Sequence, residues 1–322
     1  MMKNKKEVNS EREAYKDIKP GMIIQKHYCL ETVINKGNMS VIWKAVDLRE
    51  DKDSSNRHLA LKFLSQDFIV DRDAFKALVD EFGRYKSLKH FNIVRAYRLH
   101  SRTDHTVFMV MELPQGIPLT QFIKNHQNGI SLKEAKPIIL GMVNALSYAH
   151  REGIVHSDLK PANVFYNLKR KFVKVIDFGI ARYLQQYNIK NTVFFPNTNK
   201  SDTISTPYAS FEILFGVEPR PRDDVYALAC TVYELLSGKP PFNGKNAAKA
   251  EYEKLSLKRI KGLNRQQHQA LLRALSLSPE ERTSSVEQFS NELFTKTKKY
   301  PLIVGIVLLL ATVAGILALF KL

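Results

Sequence analysis

The hydrophobic period of this chain changes near Gly116, and that change restricts the folds open to it. Before it, short β-type runs occupy 28–34, 41–48, 58–64 and 107–113, interrupted by a single helical stretch. Within 71–89, Phe75, Leu78, Val79, Phe82, Tyr85 and Leu88 recur at three- and four-residue intervals, which predicts one buried helical face. After Gly116 the pattern is mainly helical, with apolar faces over 138–149, 225–236 and 270–277. The expected class is therefore α+β. A small β-rich lobe with one helix spans 21–113, and a larger α-rich lobe spans 114–295. Residues 1–20 are charged, lack apolar periodicity and end at the breaker pair Pro20-Gly21, so they read as a flexible leader without a signal peptide.

At 44% apolar and 10% aromatic residues, the 322-residue chain has enough material for a packed core. Its two cysteines, Cys29 and Cys230, lie in apolar stretches with no CxxC or Cys/His cluster, which predicts buried thiols rather than a metal site. Lysine and arginine outnumber acids 49 to 32, a net charge of +17 that attracts anionic surfaces. No nucleic-acid module accompanies that charge, and the C-terminus points to another partner. Residues 302–320 are nineteen residues without a charge. As a helix they would extend roughly 28 Å, against a bilayer core of about 30 Å. The segment 296–301 carries Lys296, Lys298 and Lys299, whereas only Lys321 and Leu322 follow the run. By the positive-inside rule, a single C-terminal transmembrane helix would leave residues 1–300 in the cytoplasm, beside anionic lipid headgroups. Ala311 with Gly315, and Ala314 with Ala318, have the small-xxx-small spacing through which two such helices could pack as a homodimer.

The chemistry concentrates in His156-Ser157-Asp158-Leu159-Lys160-Pro161-Ala162-Asn163. An aspartate can orient a hydroxyl and accept its proton, a lysine can neutralise a transferring phosphate, and an amide oxygen can ligate Mg²⁺. Fourteen residues beyond Asn163, after the apolar run 172–176, comes Asp177-Phe178-Gly179, a carboxylate at a strand end suited to a second Mg²⁺ contact.

Over about residues 28–285 these motifs resemble the eukaryotic-type serine/threonine protein kinase family. The resemblance implies a bilobal fold, ATP and Mg²⁺ as cofactors, and protein substrates bearing Ser or Thr hydroxyls. It implies Asp158 and Lys160 as catalytic residues and Asn163 and Asp177 as Mg²⁺ ligands. Lys62, in Leu59-Ala60-Leu61-Lys62, resembles the strand lysine that contacts the ATP phosphates, and Glu81 resembles its partner on the helix. By position, Ile42, Ala60 and Phe165 would sandwich the adenine, Glu112 and Leu113 would bond it through their backbone, and Met111 would close the back of the pocket. Ile34 and Gly37 complete the nucleotide-binding set. Asp224 would hold the catalytic-loop backbone, and Glu212 and Arg282 resemble a buried structural pair.

Four positions depart from the family pattern. Asn35, Gly37 and Ser40 stand where its phosphate loop has three glycines, so ATP binding is expected to be retained but weakened. Ser157 replaces an arginine that reads activation-segment phosphate, although Thr192, Thr198, Ser201, Thr203 and Ser205 remain in that segment. Phe211 replaces a proline near the peptide-binding floor. The alternative these departures raise is a membrane-tethered pseudokinase scaffold.

Overall fold

The computed structural model describes residues 18–36, 40–52, 54, 57–64, 72–101, 107–178 and 207–295. Most of the expected leader, Gly37, the 185–206 segment and the run 302–320 with its basic flank lie outside these. Among the described residues no helix is long and apolar enough to cross a membrane.

In chain order the first lobe comprises β1 (Ile23–Ile24), β2 (Tyr28–Lys36), β3 (Ser40–Asp47), β4 (His58–Leu64), α1 (Arg72–Ser87), β5 (Ala96–Ser101) and β6 (Val107–Glu112). The strands form one antiparallel sheet of order β1-β2-β3-β4-β6-β5. The two-residue period of β4 sorts its side chains. Leu59, Leu61 and Phe63 join Trp43, Tyr28 and Phe108 in an outer cluster, while Ala60 and Leu64 face the inner core shared with α1. Lys62 has the parity of Ala60 and Leu64, so its side chain is directed inward.

The buried stripe of α1 is Ala74, Leu78, Glu81 and Tyr85, with Leu88 just beyond the helix. Phe75 and Val79, expected on that face, are instead 37% and 36% exposed. The apolar period alone mislocated the stripe, because the face is centred on a carboxylate that finds a buried cation. β5 also escapes the sequence pattern: its Ala-Tyr-Arg-Leu-His-Ser run is largely polar and lies at the sheet edge. Cys29 is half-buried rather than buried, while Cys230 is fully enclosed.

The second lobe contains β7 (Ile117–Pro118), α2 (Leu119–Lys124), α3 (Leu132–Arg151), β8 (Val164–Asn167), β9 (Phe172–Val175), α4 (Phe211–Leu214), α5 (Pro221–Ser237), α6 (Ala247–Tyr252), α7 (Arg265–Ala274) and α8 (Val286–Phe294). Ser131 and Glu134 cap the start of α3 reciprocally, satisfying two otherwise free N–H groups. α5 starts on Pro221 and stops at Gly238, whose φ of 74° a side chain would oppose. Helix α3 is the lobe's backbone, packing on α5, α8 and the β7-β8-β9 sheet. At Gly141 the α3 backbone approaches β9 so closely that a Cβ would lie 2.3 Å from Val173 Cγ2. The two lobes join where Ile93 bridges Val175 and Val94 N–H donates to the Val175 carbonyl at 3.1 Å.

Candidate active site

The inward parity of Lys62 and the Glu81-centred face of α1 meet across the inner core. Lys62 Nζ lies 2.8 and 3.1 Å from the two Glu81 carboxylate oxygens and 2.7 Å from Asp177 Oδ1. Lys62 and Glu81 have no solvent exposure. One ammonium facing two carboxylates cannot neutralise both. Burial lifts Glu81 to a pKa of about 7 against the pull of Lys62, and the neighbouring Asp177 charge adds to the lift. Burial would also raise Asp177, but the Lys62 ammonium, helped by its hydrogen bond, outweighs that and holds Asp177 below its ordinary value. For Lys62, burial is likewise overcome by the two carboxylates, and its pKa is raised.

Asp177 follows β9 in the left-handed region at φ 64°, where a non-glycine residue must be held by its surroundings. Its N–H donates to the Tyr85 hydroxyl. Next to it the fully buried Phe178 ring lies between Tyr85, edge-on at 6.1 Å, and His156 at 4.5 Å. Helix α1, the Asp177 segment and the His156 loop are thus tied at one point.

Asp224, buried at the start of α5, organises that loop from below. Its Oδ2 and Oδ1 accept the His156 and Ser157 N–H groups, both at 2.8 Å, and His150 Nε2 lies 2.7 Å from Oδ2. Burial opposes the Asp224 charge, but the His150 bond and these contacts prevail and lower its pKa. His156 in turn donates from Nε2 to the Ile176 carbonyl at 2.9 Å and accepts the Asp158 N–H on Nδ1 at 3.2 Å. The Asp158 carboxylate is one-quarter exposed. Lys160 Nζ reaches its oxygens at 3.0 and 2.8 Å, and Asn163 Nδ2 donates to its carbonyl and to Oδ2 at 2.9 and 3.1 Å. A carboxylate held from two sides with one face toward solvent can orient a hydroxyl and take its proton.

Mg²⁺ takes hard oxygen ligands and is usually held by one or two protein groups together with substrate phosphates. Asn163 Oδ1 and Asp177 Oδ2 suit that: each makes no hydrogen bond among the described residues, and the Ile176 N–H bond to the Asn163 carbonyl at 2.9 Å ties their segments together. Among the described residues no three His, Cys, Asp or Glu side chains cluster as a metal site.

The apolar candidates Ile42, Ala60, Met111 and Phe165 share the inner core, with Ile34 and Leu113 packed against it. Gly37 lies outside the described residues. At the joining segment, the Glu112 N–H is already donated to the Arg95 carbonyl at 2.8 Å, and Pro114 has none to give, so donation to a ligand there rests on Leu113. Arg282 is buried against Glu212 at 3.0 Å and Asp223 at 3.5 Å, beneath α4.

Two participants escaped sequence reasoning. Tyr85, four residues beyond Glu81, has a place on the buried face that marked it only as apolar. Lys174, three residues before Asp177, is buried and pairs with Glu112 at 2.8 Å, linking the joining segment to β9. An alternating strand gives no sign that a lysine on it faces inward.

The protein kinase domain pattern matches residues 28–299. The chain belongs to the protein kinase domain family. Serine/threonine-protein kinase PknB of Mycobacterium tuberculosis is 30% identical over 281 residues, which cover 84% of this chain and 43% of that protein. Serine/threonine-protein kinase PrkC of Bacillus subtilis is 34% identical over 228 residues, covering 70% of this chain and 33% of PrkC. The chain thus spans less than half the length of these relatives. Among solved structures, PpkA-294 in its apo form superposes with a TM-score of 0.68 at 17% identity, over 86% of this chain and 99% of that one. The Mycobacterium tuberculosis PknI kinase domain gives 0.63 at 22%, over 86% and 97%. These two likenesses establish the two-lobed kinase fold.

Proposed function

We propose that this chain is a serine/threonine protein kinase, transferring the γ-phosphate of ATP to Ser or Thr hydroxyls of protein substrates. The observation that carries the reading is the Lys62–Glu81–Asp177 contact beside an Asp158 carboxylate held by Lys160 and Asn163. In this reading Glu81 holds Lys62 for the ATP phosphates, Asn163 and Asp177 hold Mg²⁺, and Lys160 offsets charge on the transferring group. Asp158 orients the attacking hydroxyl and accepts its proton. Bound Mg²⁺ supplies charge neutralisation at the phosphate oxygens. The names of the relatives and the Lys160-Pro161-Ala162-Asn163 run support hydroxyls of Ser and Thr over Tyr. A complete set of Lys62, Asp158 and Asp177 favours an enzyme over a tethered scaffold.

The uncharged run 302–320 and its lysine flank support a single-pass C-terminal anchor with the kinase domain on the cytoplasmic face.

The test is incubation of the full chain with Mg·ATP and a generic protein substrate, beside Lys62→Ala and Asp158→Asn. Incorporation on Ser and Thr by the parent alone supports the enzyme, and a parent as inert as Asp158→Asn leaves the scaffold. Flotation with lipid vesicles that survives high salt but not deletion of 302–320 supports the anchor. Crosslinking that traps only monomers in those vesicles removes the homodimer.

A further inference from the structure

The hairpin between β8 and β9 projects a tip on which Leu168, Lys169, Arg170 and Lys171 are all exposed, Leu168 by 51%. None of these four side chains has a hydrogen-bond or ion-pair partner among the described residues. The tip backbone is nevertheless fixed. Arg170 N–H donates to Asn167 Oδ1 at 2.9 Å, Lys171 N–H donates to the Asn167 carbonyl at 2.8 Å, and Lys171 closes the turn at φ 53°. Beside it, Phe91 is 62% exposed yet packs on Phe172 at 5.2 Å, and the two rings with Arg170 wall an open cavity of 440 Å³. The residues around this face, 89–100 and 164–176, contain no acid. The nearest carboxylate lining the cavity, Glu112, is taken by Lys174. The feature is a rigid cationic tip flanked by unburied apolar side chains.

Such a face matches an anionic bilayer, where cations meet headgroups and exposed phenylalanine and leucine side chains enter the headgroup–acyl boundary. Its position relative to the chain's exit supports that partner. At the far end of α8, Phe294 lies under Lys136 of α3, at 5.2 Å. Five residues along the same helix, Gly141 abuts Val173 at the base of the hairpin. Five residues of helix are about 8 Å of axis and about 140° of turn, so the two contacts lie on opposite flanks of a helix about 10 Å thick. The six residues 296–301 can span at most about 20 Å, which still covers that separation. A membrane reached by the 302–320 run is therefore within range of this face. We propose that the β8–β9 tip and Phe91 dock the kinase domain on the anionic membrane surface, fixing its orientation there. The proposal rests on the anchor reading for its tether, but the face makes its own contact.

The test uses the full chain in vesicles, and Phe91→Trp supplies a probe at the face, since the one native tryptophan, Trp43, is buried in the first lobe. Brominated acyl chains quench only a fluorophore that reaches the bilayer. The added emission should be quenched in phosphatidylglycerol-containing vesicles and not in neutral phosphatidylcholine. A cation near an anionic leaflet contributes a factor of about five, so Lys169→Gln, Arg170→Gln and Lys171→Gln together should cut the docked fraction relative to undocked by about a hundredfold. High salt should weaken it as well. Flotation of the same samples reads the tether separately. A chain that floats but shows no quenching, or equal quenching in both lipids, overturns the docking face and leaves the anchor standing. Unquenched emission that shifts on adding polynucleotide would assign the face to nucleic acid instead.

Discussion

At the scale of single residues, three charged groups with almost no water around them decide how the site behaves. Removing one partner of a buried ion pair costs about 3–5 kcal/mol, because the remaining charge stays desolvated. Lys62→Ala leaves two such carboxylates, and its urea midpoint should fall accordingly, with phosphate transfer lost. Glu81 carries a pH signature in the nucleotide-free protein. An unfolded Glu81 releases its proton near 4.5 and the folded one near 7, so between these values the folded state holds the extra proton and stability falls as pH rises. Urea unfolding across that window should show this slope, and Glu81→Gln should flatten it; an unchanged slope would count against the assignment. Lys62, Asp158, Asn163 and Asp177 were legible in the sequence because motif spacing singles them out. Tyr85 was not, since a tyrosine on an apolar stripe looks like any core residue until its hydroxyl is seen to accept the Asp177 N–H.

At the scale of elements, the site depends on how closely helices approach strands. α3 touches β9 at Gly141, where a methyl group would meet Val173 Cγ2 at 2.3 Å and Asn92 Nδ2 at 3.2 Å. Gly141→Ala should therefore destabilise the fold by roughly 1–3 kcal/mol despite the higher helix propensity of alanine. Val173→Ala added to it should recover part of that loss, as read by thermal or urea unfolding; strict additivity of the two losses would mean the clash is not what alanine costs. Asp224 plays the equivalent part for α5: Asp224→Ala frees two buried N–H groups of the His156 loop. At about 1–3 kcal/mol for each unsatisfied donor, the variant should unfold earlier than Lys160→Ala, which cuts only a partly exposed contact. The long amphipathic helices and the apolar strands were readable from period alone. The face of α1 was not, because its centre is Glu81 and a carboxylate scores as solvent-facing. The edge strand β5 was not, because a strand with one open side can be polar.

At the scale of the whole molecule, buried contacts among the described residues join the two lobes. Lys62 of the first lobe bonds Asp177 of the second, Tyr85 receives the Asp177 N–H, and Phe178 fills the space between α1 and His156. Where an arginine would stand to read a phosphate, Ser157 turns its hydroxyl onto the neighbouring His156 carbonyl at 2.7 Å, and its backbone is bound by Asp224. A serine offers no positive charge, so a phosphate on Thr198 or Ser205 would find no cation at this position and could not stabilise the closed arrangement through it. Phosphatase-treated full chain should accordingly keep its kcat within about twofold, whereas a phosphate–arginine contact, as a hydrogen bond to charged groups worth about 1.5–3 kcal/mol, would make the loss more than tenfold. Tyr85→Phe should act in the opposite sense: it leaves every phosphorylation site intact, removes one link between the lobes, and should lower kcat with or without phosphatase. Activity that collapses on dephosphorylation but is indifferent to Tyr85→Phe would mean that control runs through the activation segment by another cation, and not through the buried contact between the lobes.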